Sequence, residues 1–185
     1  MKKLTALILV MVLAGFCLPA VAQEIDKTVI LFRSMDDPNI PPDPAVCDAG
    51  NSGFEANVLL GASLWSFQTK SNNGTIVKEK VQQIGTATHC VLITDLTFPP
   101  FGTEAPNYVE FTIGDLFIAV SGECEATVNP LPEGPLFVSC YLEVIPERST
   151  EGIKWGQAVS NSTFTPIPIP GFETGSFWSI QLIWE

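Results

Sequence analysis

Basic residues are scarce in this chain: nine lysines and arginines stand against twenty aspartates and glutamates, for a net charge of −11. So acidic a surface repels phosphate, which excludes nucleic acid and anionic lipid headgroups as partners. Histidine is scarcer still, with His89 alone. No Cys-x-x-Cys pair accompanies it, so no zinc site is expected and no cofactor is implied. Any serine triad would have to use that same histidine, and the Gly-x-Ser-x-Gly elbow is missing, which argues against hydrolase chemistry. Beyond residue 22 there is no apolar run of the ~20 residues that a membrane helix needs. Helical periodicity is almost absent. Only residues 76–84, with Val77, Val81 and Ile84, allow it.

What is present begins with an export signal. Lys2 and Lys3 precede an apolar stretch from Leu4 to Leu18, and Ala20-Val21-Ala22 supplies the small-x-small pattern of a cleavage site. Residues 1–22 therefore read as a signal peptide removed before Gln23, which places the mature chain in the periplasm or the extracellular medium. Phe16 stands where a lipobox before Cys17 needs a small residue, so lipidation is rejected. Residues 23–185 are one domain's worth of chain. They keep seven basic and twenty acidic residues, a net of −13, and four cysteines, Cys47, Cys90, Cys124 and Cys140. An even number of cysteines in an exported domain points to two disulfides.

Prolines punctuate the mature chain in clusters at 38–44, 99–106, 130–135 and 166–170. Proline cannot donate to a strand ladder, so these are loops or edges. Between them, runs rich in Val, Ile, Thr, Phe and Trp read as strands near 27–33, 57–69, 75–84, 86–98, 107–113, 116–127, 136–145, 153–163 and 176–184. Eight or nine strands make an all-β fold, a barrel or a sandwich, with a small antiparallel barrel as the expectation. Asn73-Gly74 is a hairpin signal, and it favours strand over helix for 75–84. Apolar side chains occupy odd positions through Val109, Phe111 and Ile113, then even ones through Leu116, Ile118 and Val120. A tight turn at Gly114-Asp115 accounts for that switch.

The same parity pairs two cysteines. Cys124 shares the face of Ile118 and Val120, Cys140 that of Val138 and Leu142, and both are equidistant from Pro132. An antiparallel hairpin sets them opposite each other on the core face. Cys47 then bonds Cys90 by elimination, or Cys90 stays a free thiol in the lumen. His89 and Cys90 are neighbours on a strand and point to opposite faces, so they cannot form a dyad; His89 is expected at the surface or a loop end. The acidic, proline-rich stretch 36–53 fits no EF-hand spacing and reads as a solvated loop. Residues 58–67 are apolar on both faces, so a loop or second subunit should cover that strand outside. Trp65, Phe67, Cys90, Phe111 and Trp178 are the candidates for lining a lumen that takes an apolar molecule.

Two stretches resemble one family. Ile84-Gly85-Thr86-Ala87-Thr88-His89-Cys90-Val91-Leu92-Ile93 is similar to the Gly-Ile-Thr-Ala…Cys-Val-Val-Ile strand of allene oxide cyclases. Tyr108 to Leu116, followed by Ala119-Val120-Ser121-Gly122, resembles that family's aromatic strand, Gly-Asp turn and returning strand. The resemblance covers about forty residues. It implies the eight-stranded, calycin-like barrel that this family shares with dirigent proteins, often a trimer. It also implies an isomerase that guides a reactive apolar intermediate, with Cys90 matching a pocket cysteine. The glutamate of the family's first strand has no counterpart in Ile30-Leu31-Phe32-Arg33-Ser34. The expectation is an exported barrel that holds an apolar small molecule, with cyclase- or dirigent-like guidance if it is an enzyme. The alternative is a non-catalytic structural barrel with a filled lumen that oligomerises.

Overall fold

The computed structural model describes residues 26–72, 75–94, 104–128, 136–164 and 175–185. Residues 1–22, read above as an export signal, lie outside them. Eight antiparallel strands run in chain order: β1 (Lys27–Asp36), β2 (Val58–Asn72), β3 (Thr75–Val91), β4 (Glu104–Ile113), β5 (Leu116–Val128), β6 (Leu136–Val144), β7 (Ile153–Phe164) and β8 (Gly175–Trp184). Each pairs with the next and β8 returns to β1, so the sheet closes and leaves no free edge. The expected runs 75–84 and 86–98 join in one strand that ends at Val91, which makes eight and not nine; residues 95–98 lie outside the described residues. Thr75–Val91 is strand throughout, as the hairpin signal required. Asn73-Gly74 itself lies outside the described residues, and Asn72 pairs with Thr75 across it.

Local chemistry accounts for the register. Ile113 pairs with Leu116 around a two-residue turn in which Gly114 holds φ at 57°, a value that costs glycine little. The turn pairs odd positions with even ones, so Val109 meets Val120 and Phe111 meets Ile118 on the inner face. Cys124 and Cys140 are directly opposed and bonded, with Cα atoms 4.0 Å apart. One wall of the barrel is thereby cross-linked at its core face.

β1 runs three residues further than the composition suggested and ends at Asp36. The acidic loop thus starts at 37 and extends to 57. It is no free solvated loop but a strap lying on the outer wall, with a one-turn helix, α1 (Ala49–Ser52), capped by the Asp48 side chain. Val46, Cys47, Phe54 and Ala56 of the strap pack with Leu59, Cys90, Tyr108 and Ala119 in a second core outside the barrel. This is what covers the doubly apolar strand β2. At Gly61 the strap runs so close that a Cβ would overlap the Ile40 carbonyl oxygen. Cys47–Cys90 fastens the strap to β3. Arg148, from the β6–β7 link, also holds it by donating to the Asn51 carbonyl while pairing with Glu110 at 3.2 Å. Tyr108 donates to the same Glu110 carboxylate at 2.6 Å. Burial, with the Glu110 hydrogen bond and charge behind it, pushes the Tyr108 hydroxyl pKa well up, against the opposing Arg148 charge.

Candidate functional site

The lumen is divided. Three aromatic side chains form a layer across its middle: Phe111 lies edge-on to Phe32 at 5.4 Å and to Trp178 at 5.1 Å between ring centroids. On the side of this layer where β5 and β7 begin, Ile118, Val120, Leu142, Val144, Ile180 and Leu182 fill the barrel. On the other side is a cavity of about 330 Å³, at the lower end of the ~300–1,000 Å³ found for small-molecule sites. Its wall draws on all eight strands, from the last residues of β1, β3, β5 and β7 and the first of β2, β4, β6 and β8. Leu60, Val91, Ile93, Ala126 and Val138 make most of the wall apolar, and the Cys124–Cys140 disulfide forms part of it.

Meander topology explains why the rim has the composition it has. In an up-and-down barrel every odd-to-even connection leaves from the same end. Those connections are residues 37–57, 92–103, 129–135 and 165–174, and they carry twelve of the fifteen prolines. The strands that flank all four proline clusters therefore meet at one end of the barrel. It is the end where the cavity lies.

Few polar groups face this space. His89 is 8% exposed, lines the cavity, and sits over the aromatic layer, 5.9 Å from Trp178 and 6.1 Å from Phe111 between ring centroids. Among the described residues nothing hydrogen-bonds its imidazole. Burial pushes its pKa down to about 4, so at neutral pH it is uncharged and offers one donor and one acceptor. Asn107 Nδ2 donates to Cys124 Sγ at 3.0 Å, and its Oδ1 is buried without a partner. Ser162 and Ser176 share a hydrogen bond of 2.6 Å, and Ser34 accepts from the Trp178 indole at 3.1 Å. Asp36 stands at the rim, its pKa raised by burial. Among the described residues no group of three or more metal-ligating side chains forms.

Of the five sequence candidates, the barrel brings two together. Trp178 lines the cavity and Phe111 lies in the aromatic layer under it. Cys90 does not line the lumen; it is fully buried in the outer core and bonded to Cys47, so the free-thiol reading falls. Trp65 sits under the Lys80 ammonium, 4.8 Å from its ring centroid, and Phe67 packs edge-on against Phe177 at 5.5 Å. Neither joins the barrel core or the cavity wall. His89 reverses in the other direction, from expected surface to lumen. The alternation that separated it from Cys90 is correct, but the two faces were assigned the wrong way round. Cys90 faces the strap because Cys47 is on it. Asp36, read as the start of the solvated loop, is instead the last residue of β1; Asn107 and the inner serines were not singled out, since each is a small polar residue with no pattern to mark it.

Compared with family models, with curated proteins and with solved structures, the chain matches none. The fold and cavity define a closed eight-stranded up-and-down barrel with a half-filled lumen.

Proposed function

We propose that this protein binds a small, predominantly apolar molecule in the open half of its lumen. The observation that carries the reading is the division of the barrel. A structural barrel fills its interior, whereas here side chains fill one half and an apolar-walled space with a few inward polar groups occupies the other. Apolar walls with a small number of placed polar groups are the usual make-up of a small-molecule site. Guidance of a reaction, as in cyclases or dirigent proteins, would fall to His89 and its neighbours, since Cys90 is tied up in a disulfide outside the barrel.

Binding to the native state alone stabilises it by mass action, ~2.7 kcal/mol at a free ligand concentration a hundredfold above Kd. The oxidised protein should therefore melt at higher temperature with apolar ligands, and the fluorescence of Trp178 should change. Val138→Trp, which fills the space, should abolish both responses in a protein that still folds. No response to any apolar compound would overturn the proposal.

One observation favours a second reading, a barrel that assembles with copies of itself. Leu31, Ser179 and Val159 form a row across β1, β8 and β7 on the outer wall, with Val29, Gln181 and Gln157 in the next. Val29 and Leu31 are 60% and 58% exposed, and neither row carries a charge. On a chain so acidic, this is the face where two copies meet without repulsion. Sedimentation at rising concentration tests it. A monomer throughout, unchanged by Leu31→Glu, would sink this reading.

A further inference from the structure

We infer that the lumen selects uncharged apolar molecules carrying a hydrogen-bond-donating hydroxyl, of the alkylphenol or long-chain alcohol class, and rejects anionic amphiphiles such as fatty-acid carboxylates. The inference rests on the lumen-binding reading and gives it a ligand class.

Charge is the first ground. Among the described residues no lysine or arginine lines the cavity, and Asp36 places a carboxyl at its wall. The nearby cation, Arg33, is on the outer face of β1 with its guanidinium 5.4 Å from the Phe177 ring centroid. A cleft lined by one sign of charge focuses its field, so an approaching anion is repelled before it arrives. Once inside, a carboxylate would exchange its hydration for apolar walls with no cation to pair with.

The inward polar groups are the second ground. His89 is more than nine-tenths buried, lines the cavity, and has no hydrogen-bond partner among the described residues. A neutral imidazole can accept from a hydroxyl at one nitrogen and donate to it from the other. Ser34, Ser162 and Ser176 add hydroxyls to the same wall. An alkyl or aryl body against Leu60, Val91 and Val138, with a hydroxyl at His89, uses both the apolar surface and these groups. A carboxylate could take the imidazole and serine donors, but among the described wall residues it would find no cation and would face Asp36.

Three ligands of one shape separate the alternatives: para-pentylphenol, para-pentylbenzoate and pentylbenzene, titrated calorimetrically at neutral pH into the oxidised protein. The phenol is expected to bind at least about tenfold more tightly than the benzoate, and several-fold more tightly than the hydrocarbon. In His89→Leu the phenol should lose its advantage over the hydrocarbon, which still binds. Asp36→Lys, at an exposed rim position that leaves the core untouched, should raise benzoate affinity about tenfold. Benzoate binding as tightly as the phenol in the unaltered protein would overturn the selectivity and leave lumen binding standing. Failure of all three to bind would overturn lumen binding itself, and the selectivity with it.

Discussion

At the scale of single residues, His89 is where buried chemistry and stability meet. Its pKa is pushed down to about 4 from 6.5 by burial. Between those values the unfolded chain binds a proton that the folded one refuses, so stability is complete above pH 6.5 and falls as pH drops toward 4. Two and a half units correspond to about 3 kcal/mol. Urea unfolding across that window should show His89→Leu losing less stability than the parent as pH falls. Equal losses would mean the imidazole is not buried as described. Ser160 offers a contrast: fully buried, its hydroxyl has no partner among the described residues. An unsatisfied buried hydroxyl costs ~1–3 kcal/mol, so Ser160→Ala should be neutral or stabilising, and denaturant titration checks it. A clear destabilisation would show that the hydroxyl is bonded.

At the scale of elements, the strap and its anchors are the main device outside the barrel. Cys47–Cys90 spans 43 positions, which in the chain-entropy account corresponds to ~4 kcal/mol. Replacing both cysteines with alanine should lower stability by about 2–4 kcal/mol while the lumen keeps its ligand, since the bond lies in the outer core. Unchanged stability would mean the strap is not held there. Gly61→Ala probes the same contact from β2, because its methyl meets strap backbone rather than a side chain that can move. It should cost about 1–3 kcal/mol. The elements themselves were legible because strand parity is a hard constraint. The Gly114 turn, the pairing of Cys124 with Cys140, and the need for a cover over 58–67 all follow from which side chains share a face. Parity alone, however, does not say which face is inside. In β3, Thr86, Ala87 and Thr88 contrast too little to decide, and only the position of Cys47 on the strap turns Cys90 outward and His89 inward. The strap was read as solvated because its charges are many, while its few apolar residues, Val46, Phe54 and Ala56, were too sparse to mark a packed segment.

At the scale of the whole molecule, a closed meander gives one barrel two unlike ends. Eight strands enclose an interior that side chains can fill, and here aliphatic residues and an aromatic layer fill half of it. The other half is the cavity, at the end where β1, β3, β5 and β7 stop. The all-β class was readable from composition and period, which left barrel or sandwich open, whereas the place and lining of the cavity were not. A cavity is the absence of side-chain volume, here left by Ala105, Ala126, Ser162 and Ser176, and small residues on a strand look the same whether they face space or a neighbour. The central claim is that the space holds a ligand. The most direct measurement is a set of nuclear Overhauser contacts between bound para-pentylphenol and the protein's methyl groups. Contacts to Val58, Leu60, Val91, Ile93 and Val138, with none to the outer-wall Val29, Leu31 or Val159, are the predicted result. Contacts confined to the outer wall, or none at saturating ligand, would contradict it.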